Sequence, residues 1–113
     1  MRFLALAALV CSVRLPGPAA AWGEFRLTIA DIFAITGRGI VLTGTVEGGP
    51  VRVDDVVCLR SGGDQRREVT IRGIEVYRRT LTTAEPGMSV GLLIADIEQT
   101  DVKRGDVLTA TCG

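Results

Sequence analysis

Between residues 25 and 111 apolar side chains recur mainly at every second position, which is the spacing of a strand with one buried face. Phe25, Leu27 and Ile29 alternate with Arg26, Thr28 and Ala30, and Asp31 to Ile35 continues that strand to a turn at Thr36-Gly37-Arg38-Gly39. Ile40 to Val46 predicts a second strand, closed by Glu47-Gly48-Gly49-Pro50, where glycine and proline break the ladder. Val51 to Val53 predicts a short strand, Asp54-Asp55 a bend, and Val56 to Arg60 a further strand ending at Ser61-Gly62-Gly63-Asp64. Val69 to Tyr77 alternates around Gly73, which marks a bulge or a close backbone approach. After Glu85-Pro86-Gly87, Val90 to Ala95 is nearly all apolar and suits a central strand. Ile97 to Lys103 accommodates one helical turn, and Arg104-Gly105-Asp106 leads into a last strand, Val107 to Thr111. Short strands at intervals near ten residues, with turn chemistry between them, predict an all-β closed barrel or sandwich.

The first 21 residues follow a different pattern. Arg2 precedes an apolar run from Phe3 to Val13 that only Cys11 and Ser12 interrupt; Arg14-Leu15-Pro16-Gly17-Pro18 breaks it, and Ala19-Ala20-Ala21 offers small residues. This is the layout of a secretory signal peptide, too short for stable membrane insertion. Residues 22–113 are then the folded domain, secreted or periplasmic. The alternative is a misassigned start, which leaves the domain cytoplasmic. Cys11 follows Val10, whereas a lipid-attachment cysteine wants a small residue before it.

Charge narrows the functions. The chain has 13 basic and 13 acidic side chains; without Arg2 and Arg14 the balance is 11 to 13, a net of about −2. Non-specific binding to nucleic acid or an anionic membrane wants a positive excess instead. There is no histidine, which removes the commonest general base and the commonest metal ligand. We expect no metal and no cofactor. Cys58 and Cys112 can either pair, stabilising by roughly 4 kcal/mol on a chain-entropy estimate, or stay as small buried apolar side chains.

One stretch invites a phosphate-binding reading. Gly39 and Gly44 have the glycine spacing of a nucleotide-binding loop, but Thr45 stands where that loop needs its lysine. Ile40-Val41-Leu42-Thr43 between them is strand chemistry, and Leu42 occupies the third glycine position of a dinucleotide fingerprint. The stretch is a strand following a turn.

The stretches "IADIFAITGRGIVLTGTVEGGPVRVDDVV", "VTIRGIEVYRRTLTTAEPGMSVGLLI" and "DVKRGDVL" together resemble the second domain of elongation factor Tu and other translational GTPases, over nearly all of residues 25–110. That resemblance implies a small, closed, six-to-seven-stranded antiparallel β-barrel without the GTP-binding domain. In that family the barrel contributes to a pocket for the terminal adenosine of aminoacyl-tRNA. Carried over by position, Ile35, Gly37, Val41 and Leu93 would line the apolar side. Glu75 would meet the ribose hydroxyl, and Arg78 would flank the base. The chain departs from the family at Ile94-Ala95, where Arg-Gly is common, and this removes a positive charge.

Read from the residues alone, Ile35, Val41 and Leu93 are barrel packing, Gly37 is a turn glycine, and Glu75 and Arg78 form an exposed ion pair. Arg66, Arg67, Arg72, Arg78 and Arg79 can form a basic stripe across one sheet face. Three functions follow. The first is a non-catalytic, stand-alone binding module, holding an unknown protein or small ligand on the adenosine face. The second is a detached translation-factor domain that contacts RNA of the aminoacyl-tRNA type, or a GTPase partner, in the cytoplasm. The third is an enzyme built on carboxylates such as Asp31, Asp54 and Asp55 or on Lys103, which lacks an accompanying base or nucleophile. The first is the expectation, so the chain is not read as an enzyme.

Overall fold

The computed structural model describes residues 23–113, so the signal-like segment 1–21 and its Cys11 lie outside the described residues. Within them the chain forms ten strands: β1 (Arg26–Thr28), β2 (Asp31–Ile35), β3 (Gly39–Glu47), β4 (Val51–Arg52), β5 (Val56–Arg60), β6 (Arg66–Val76), β7 (Arg79–Leu81), β8 (Thr83–Ala84), β9 (Ser89–Ile94) and β10 (Val107–Thr109). One 3-10 turn, Gln99–Asp101, follows β9. Six strands make the barrel wall in the order β1-β10-β5-β6-β9-β3, every pair is antiparallel, and β1 returns to pair with β3 and close it. Outside that wall, β2 extends β3, β7 extends β6, and β4 and β8 form a two-stranded ribbon. Of the two all-β architectures that the alternation allows, the fold is the closed barrel, as the resemblance implies.

Closure depends on Gly44. Leu27 of β1 lies opposite Val46 of β3, and a Cβ on Gly44 would sit 2.5 Å from the Thr28 carbonyl oxygen and 2.7 Å from Leu27 Cδ2. Only glycine lets the two strands approach so closely. Inside the barrel, Leu27, Leu42, Leu59, Ile71, Ile74, Leu92 and Leu108 are fully buried, and no polar or charged residue is buried among the described residues. Each such side chain contributes about 1.5–3 kcal/mol by leaving water. Gly73 sits at the bulge: the β6–β9 register slips between Ile71 and Gly73, so that both Ile71 and Ile74 point inward.

The first strand departs from expectation. It breaks at Ile29-Ala30, where the backbone exchanges partners. The Ile29 amide donates to the Asp106 carbonyl at 2.9 Å, and the next amide, Ala30, donates to Thr43 at 2.7 Å. β1 therefore belongs to the wall and β2 to a flap on β3. β6 starts at Arg66, three residues earlier than expected, and β10 ends at Thr109, two residues sooner. Residues 79–84, to which the alternation assigns no element, form β7 and β8.

A disulfide joins Cys58 on β5 to Cys112, 54 positions later in the sequence, with their Cα atoms 4.9 Å apart. Cys58 is fully buried yet stands between two inward residues, Val57 and Leu59, so it faces outward beneath the C-terminal segment. Arg60 and Arg66 hold the same segment, donating to the carbonyls of Thr111 at 2.9 Å and Cys112 at 2.8 Å.

Candidate functional site

The outer face of β2, β3, β9 and β6 carries one cross-strand row. Phe33 lies opposite Val41, Val41 opposite Leu93, and Leu93 opposite Gly73. Each of these residues alternates with inward ones, so the row faces away from the core. The neighbouring row runs Asp31, Thr43, Gly91, Glu75 and Thr80. Two glycines in adjacent rows, Gly73 and Gly91, thin this surface. A Cβ on Gly91 would stand 3.0 Å from Val41 Cγ1, and one on Gly73 would meet Leu93 Cβ at 3.6 Å. Over Gly91 the face dips into a groove of about 440 Å³ whose lining includes Val41, Thr43, Glu75, Tyr77 and Gly91, while Gly73 lies outside it.

The six residues expected at a site do not all meet. Val41 and Leu93 are cross-strand partners, and Glu75 is one row away. Val41 is only 9% exposed, but it lies outside the inner core cluster, so its packing is that of the outer face. Ile35 ends β2 opposite Gly39 and is half-buried, away from the groove lining. Gly37, with φ +80°, occupies a four-residue turn closed by the Arg38 amide donating to the Ile35 carbonyl at 2.9 Å. That left-handed φ is the ordinary reason for glycine at such a turn. Arg78 is exposed and has no ion-pair partner among the described residues.

Glu75 does not pair with Arg78, three residues on. It accepts from Arg38 Nη2 at 3.4 Å, an arginine 37 residues distant that belongs to the turn carrying Gly37. The two-residue β6–β7 turn lifts Arg78 clear of the sheet, while the strand order β6-β9-β3 brings the β2–β3 turn toward Glu75. Both side chains are well exposed, so the pair stabilises by less than ~1 kcal/mol.

The arginine stripe is likewise broken. Arg72 pairs with Asp96 at 3.9 Å and Arg67 with Asp101 at 3.2 Å. Arg66 serves the C-terminal segment.

Sequence reasoning missed Tyr77. It is 97% exposed, lines the groove, and has φ +58° at the first position of the β6–β7 turn. A bulky residue rarely adopts that conformation, and hairpin turns needing it usually carry glycine, asparagine or aspartate. The turn leaves the ring standing in solvent at the groove mouth. The only advance signal was a tyrosine directly after a strand. Among the described residues no three His, Cys, Asp or Glu side chains gather.

A family model described as Elongation factor Tu domain 2 matches residues 39–109. The match runs from the first residue of β3 to the last of β10. It contains Val41, Glu75, Tyr77, Arg78 and Leu93, and begins just after the turn that holds Gly37.

Proposed function

The chain belongs to the elongation factor Tu domain 2 family, and on that premise we propose that its translation-factor-like β-barrel acts by binding, not by catalysis. The ligand is a flat, nucleoside-like group, free or carried on a partner, seated in the groove beside Tyr77. The groove floored by Gly91 and walled by Val41 and Glu75 carries this reading. An apolar floor without a Cβ admits a ring, the Tyr77 face stacks on it, and the Glu75 carboxylate accepts from a hydroxyl. We also propose that the barrel works outside the reducing cytoplasm, as an exported domain. The Cys58–Cys112 disulfide supports this, since such bonds persist in oxidising compartments.

A second reading, contact with RNA or a GTPase partner in the cytoplasm, draws support from Arg78 and Arg79. Both are exposed beside Tyr77, where phosphates flanking a stacked base would lie.

Titrating the full chain with adenosine and with a short aminoacyl-RNA, followed by amide resonances, tests the groove. Shifts at Glu75, Gly91 and Leu93 that Gly91→Val abolishes are expected. Silent spectra at millimolar ligand would remove the site. Sequencing the N-terminus of the protein from its cells tests export: a chain starting at Trp22 in an extracytoplasmic fraction supports it, and an intact cytoplasmic chain refutes it.

A further inference from the structure

A second groove, of about 770 Å³, opens between the β5–β6 turn and the approach to β10. Its chemistry is nearly all charge. Arg66, Arg67, Lys103 and Arg104 line it against Asp101 and Asp106, and Leu59 is the one large apolar side chain in the lining.

The two carboxylates are already committed. Asp101 Oδ2 accepts from the Glu98 amide at 2.8 Å and from Arg67 Nη1 at 3.2 Å. Asp106 Oδ2 accepts from the Lys103 amide at 2.9 Å and from Ser61 Oγ at 3.2 Å. Both are bound to their own loops and away from the Lys103 ammonium, which has no ion-pair partner among the described residues.

Arg104 is paired with Asp31 at 3.0 Å, while the other two arginines are positioned without being neutralised in full. Arg66 donates to the Cys112 carbonyl at 2.8 Å, and Arg67 donates a second bond to the Asp96 carbonyl at 3.1 Å. A carbonyl orients a guanidinium but leaves its charge, and most of its five N–H donors, available. The disulfide at Cys112 fixes the anchor for Arg66. Counting Asp31 beside the lining, four cations face three carboxylates, and Arg66 and Lys103 are the two cations without an ion-pair partner among the described residues, so the groove keeps a positive excess in a domain that is net acidic.

We propose that this groove is an anion site for a small polyphosphate group, free or esterified. Arginine forks and a lysine match phosphate oxygens in geometry and charge. With no aromatic ring in the lining, the groove reads oxyanions and not a base. It lies at the Arg66 end of β6, whereas the Tyr77 groove lies at the other, and the two linings share no residue.

Calorimetric titration of the full chain with inorganic tripolyphosphate tests this, beside the Arg66→Gln/Lys103→Gln variant and an Arg52→Gln control, an exposed arginine outside both grooves. Both replaced side chains in the double variant are exposed, and an unchanged thermal melt shows that it folds. The double variant is expected to bind about tenfold more weakly or worse, having lost two charge-assisted partners. The control should bind as the parent does. Methyl triphosphate should bind within about threefold of tripolyphosphate, because phosphate oxygens supply the contacts and it carries no base for the Tyr77 groove. Equal binding by the double variant would overturn the proposal. So would amide shifts spread evenly over Arg52, Arg78 and Arg79, or no heat at millimolar ligand.

Discussion

The two grooves sit at opposite ends of one strand, β6, and are built on opposite principles. At the Val76 end the surface is hollowed where glycine supplies no side chain, at Gly44 and Gly91, and carries a carboxylate and a strained tyrosine. At the Arg66 end it is hollowed by loops and lined by cations. On the readings proposed above, the first would select by shape, because a glycine floor admits only what fits against Val41. The second would select by charge, because a carbonyl holds Arg66 and Lys103 has no ion-pair partner among the described residues. A single barrel can host both because its wall is stabilised from inside: the core is shared, and the grooves reach it only at Leu59 and Val90.

The strongest way to separate the two is to remove the disulfide. A Cys58→Ala/Cys112→Ala chain is expected to lose roughly 4 kcal/mol of stability on the chain-entropy estimate, measured by urea unfolding. Tripolyphosphate binding should fall with it, since the Arg66 anchor is freed, while the Tyr77 groove keeps its ligand. Next in size is Leu42→Ala. Leu42 is fully buried between Ile32 and Leu92, and its truncation should cost about 3 kcal/mol in the same assay. It should lower stability without favouring either groove, so a selective loss of one ligand would break the comparison.

Smaller and opposite in sign is Tyr77→Asn. Asparagine tolerates a positive φ, so the melt should shift upward by about 0.5–1 kcal/mol of stability. Nucleoside binding should weaken in the same variant, and tripolyphosphate binding should not change. A stability loss would show that Tyr77 is held by packing instead of presented under strain. Smallest is Arg38→Ala, expected to cost ~0.5 kcal/mol because its partner Glu75 is exposed. A cost above ~1 kcal/mol would mean that the ion pair braces the β2–β3 turn over the groove.

Much of the barrel was legible in the chain. Alternation over Ile40–Val46, the apolar run of β9 and the bulge at Gly73 each mark an element that the structure contains. The break between β1 and β2 was not legible, because side-chain alternation passes through Ile29 and Ala30 while only the backbone partners change. Strands β7 and β8 were missed because Arg79–Leu81 has no alternation and the turn before it lacks glycine. For the candidate site, resemblance named Val41 and Glu75, which line one groove, Leu93, which lies beside Val41 outside that lining, and Ile35, Gly37 and Arg78, which lie at its edges or beyond. Tyr77 and the Arg66 groove carry no local signature: one is a matter of turn conformation, the other of loops brought together from residues 61–67 and 100–106.

The sequence by itself determined that this chain is an all-β barrel with a lysine-free glycine turn and no histidine chemistry. Those properties reside in single residues and in period-two spacing, which need no distant partner. Tertiary structure decided which arginine meets Glu75, which cysteine-bearing segments lie together, and where surface charge collects. Each of these depends on strand order, and strand order is set by how the whole core packs, which no local window contains.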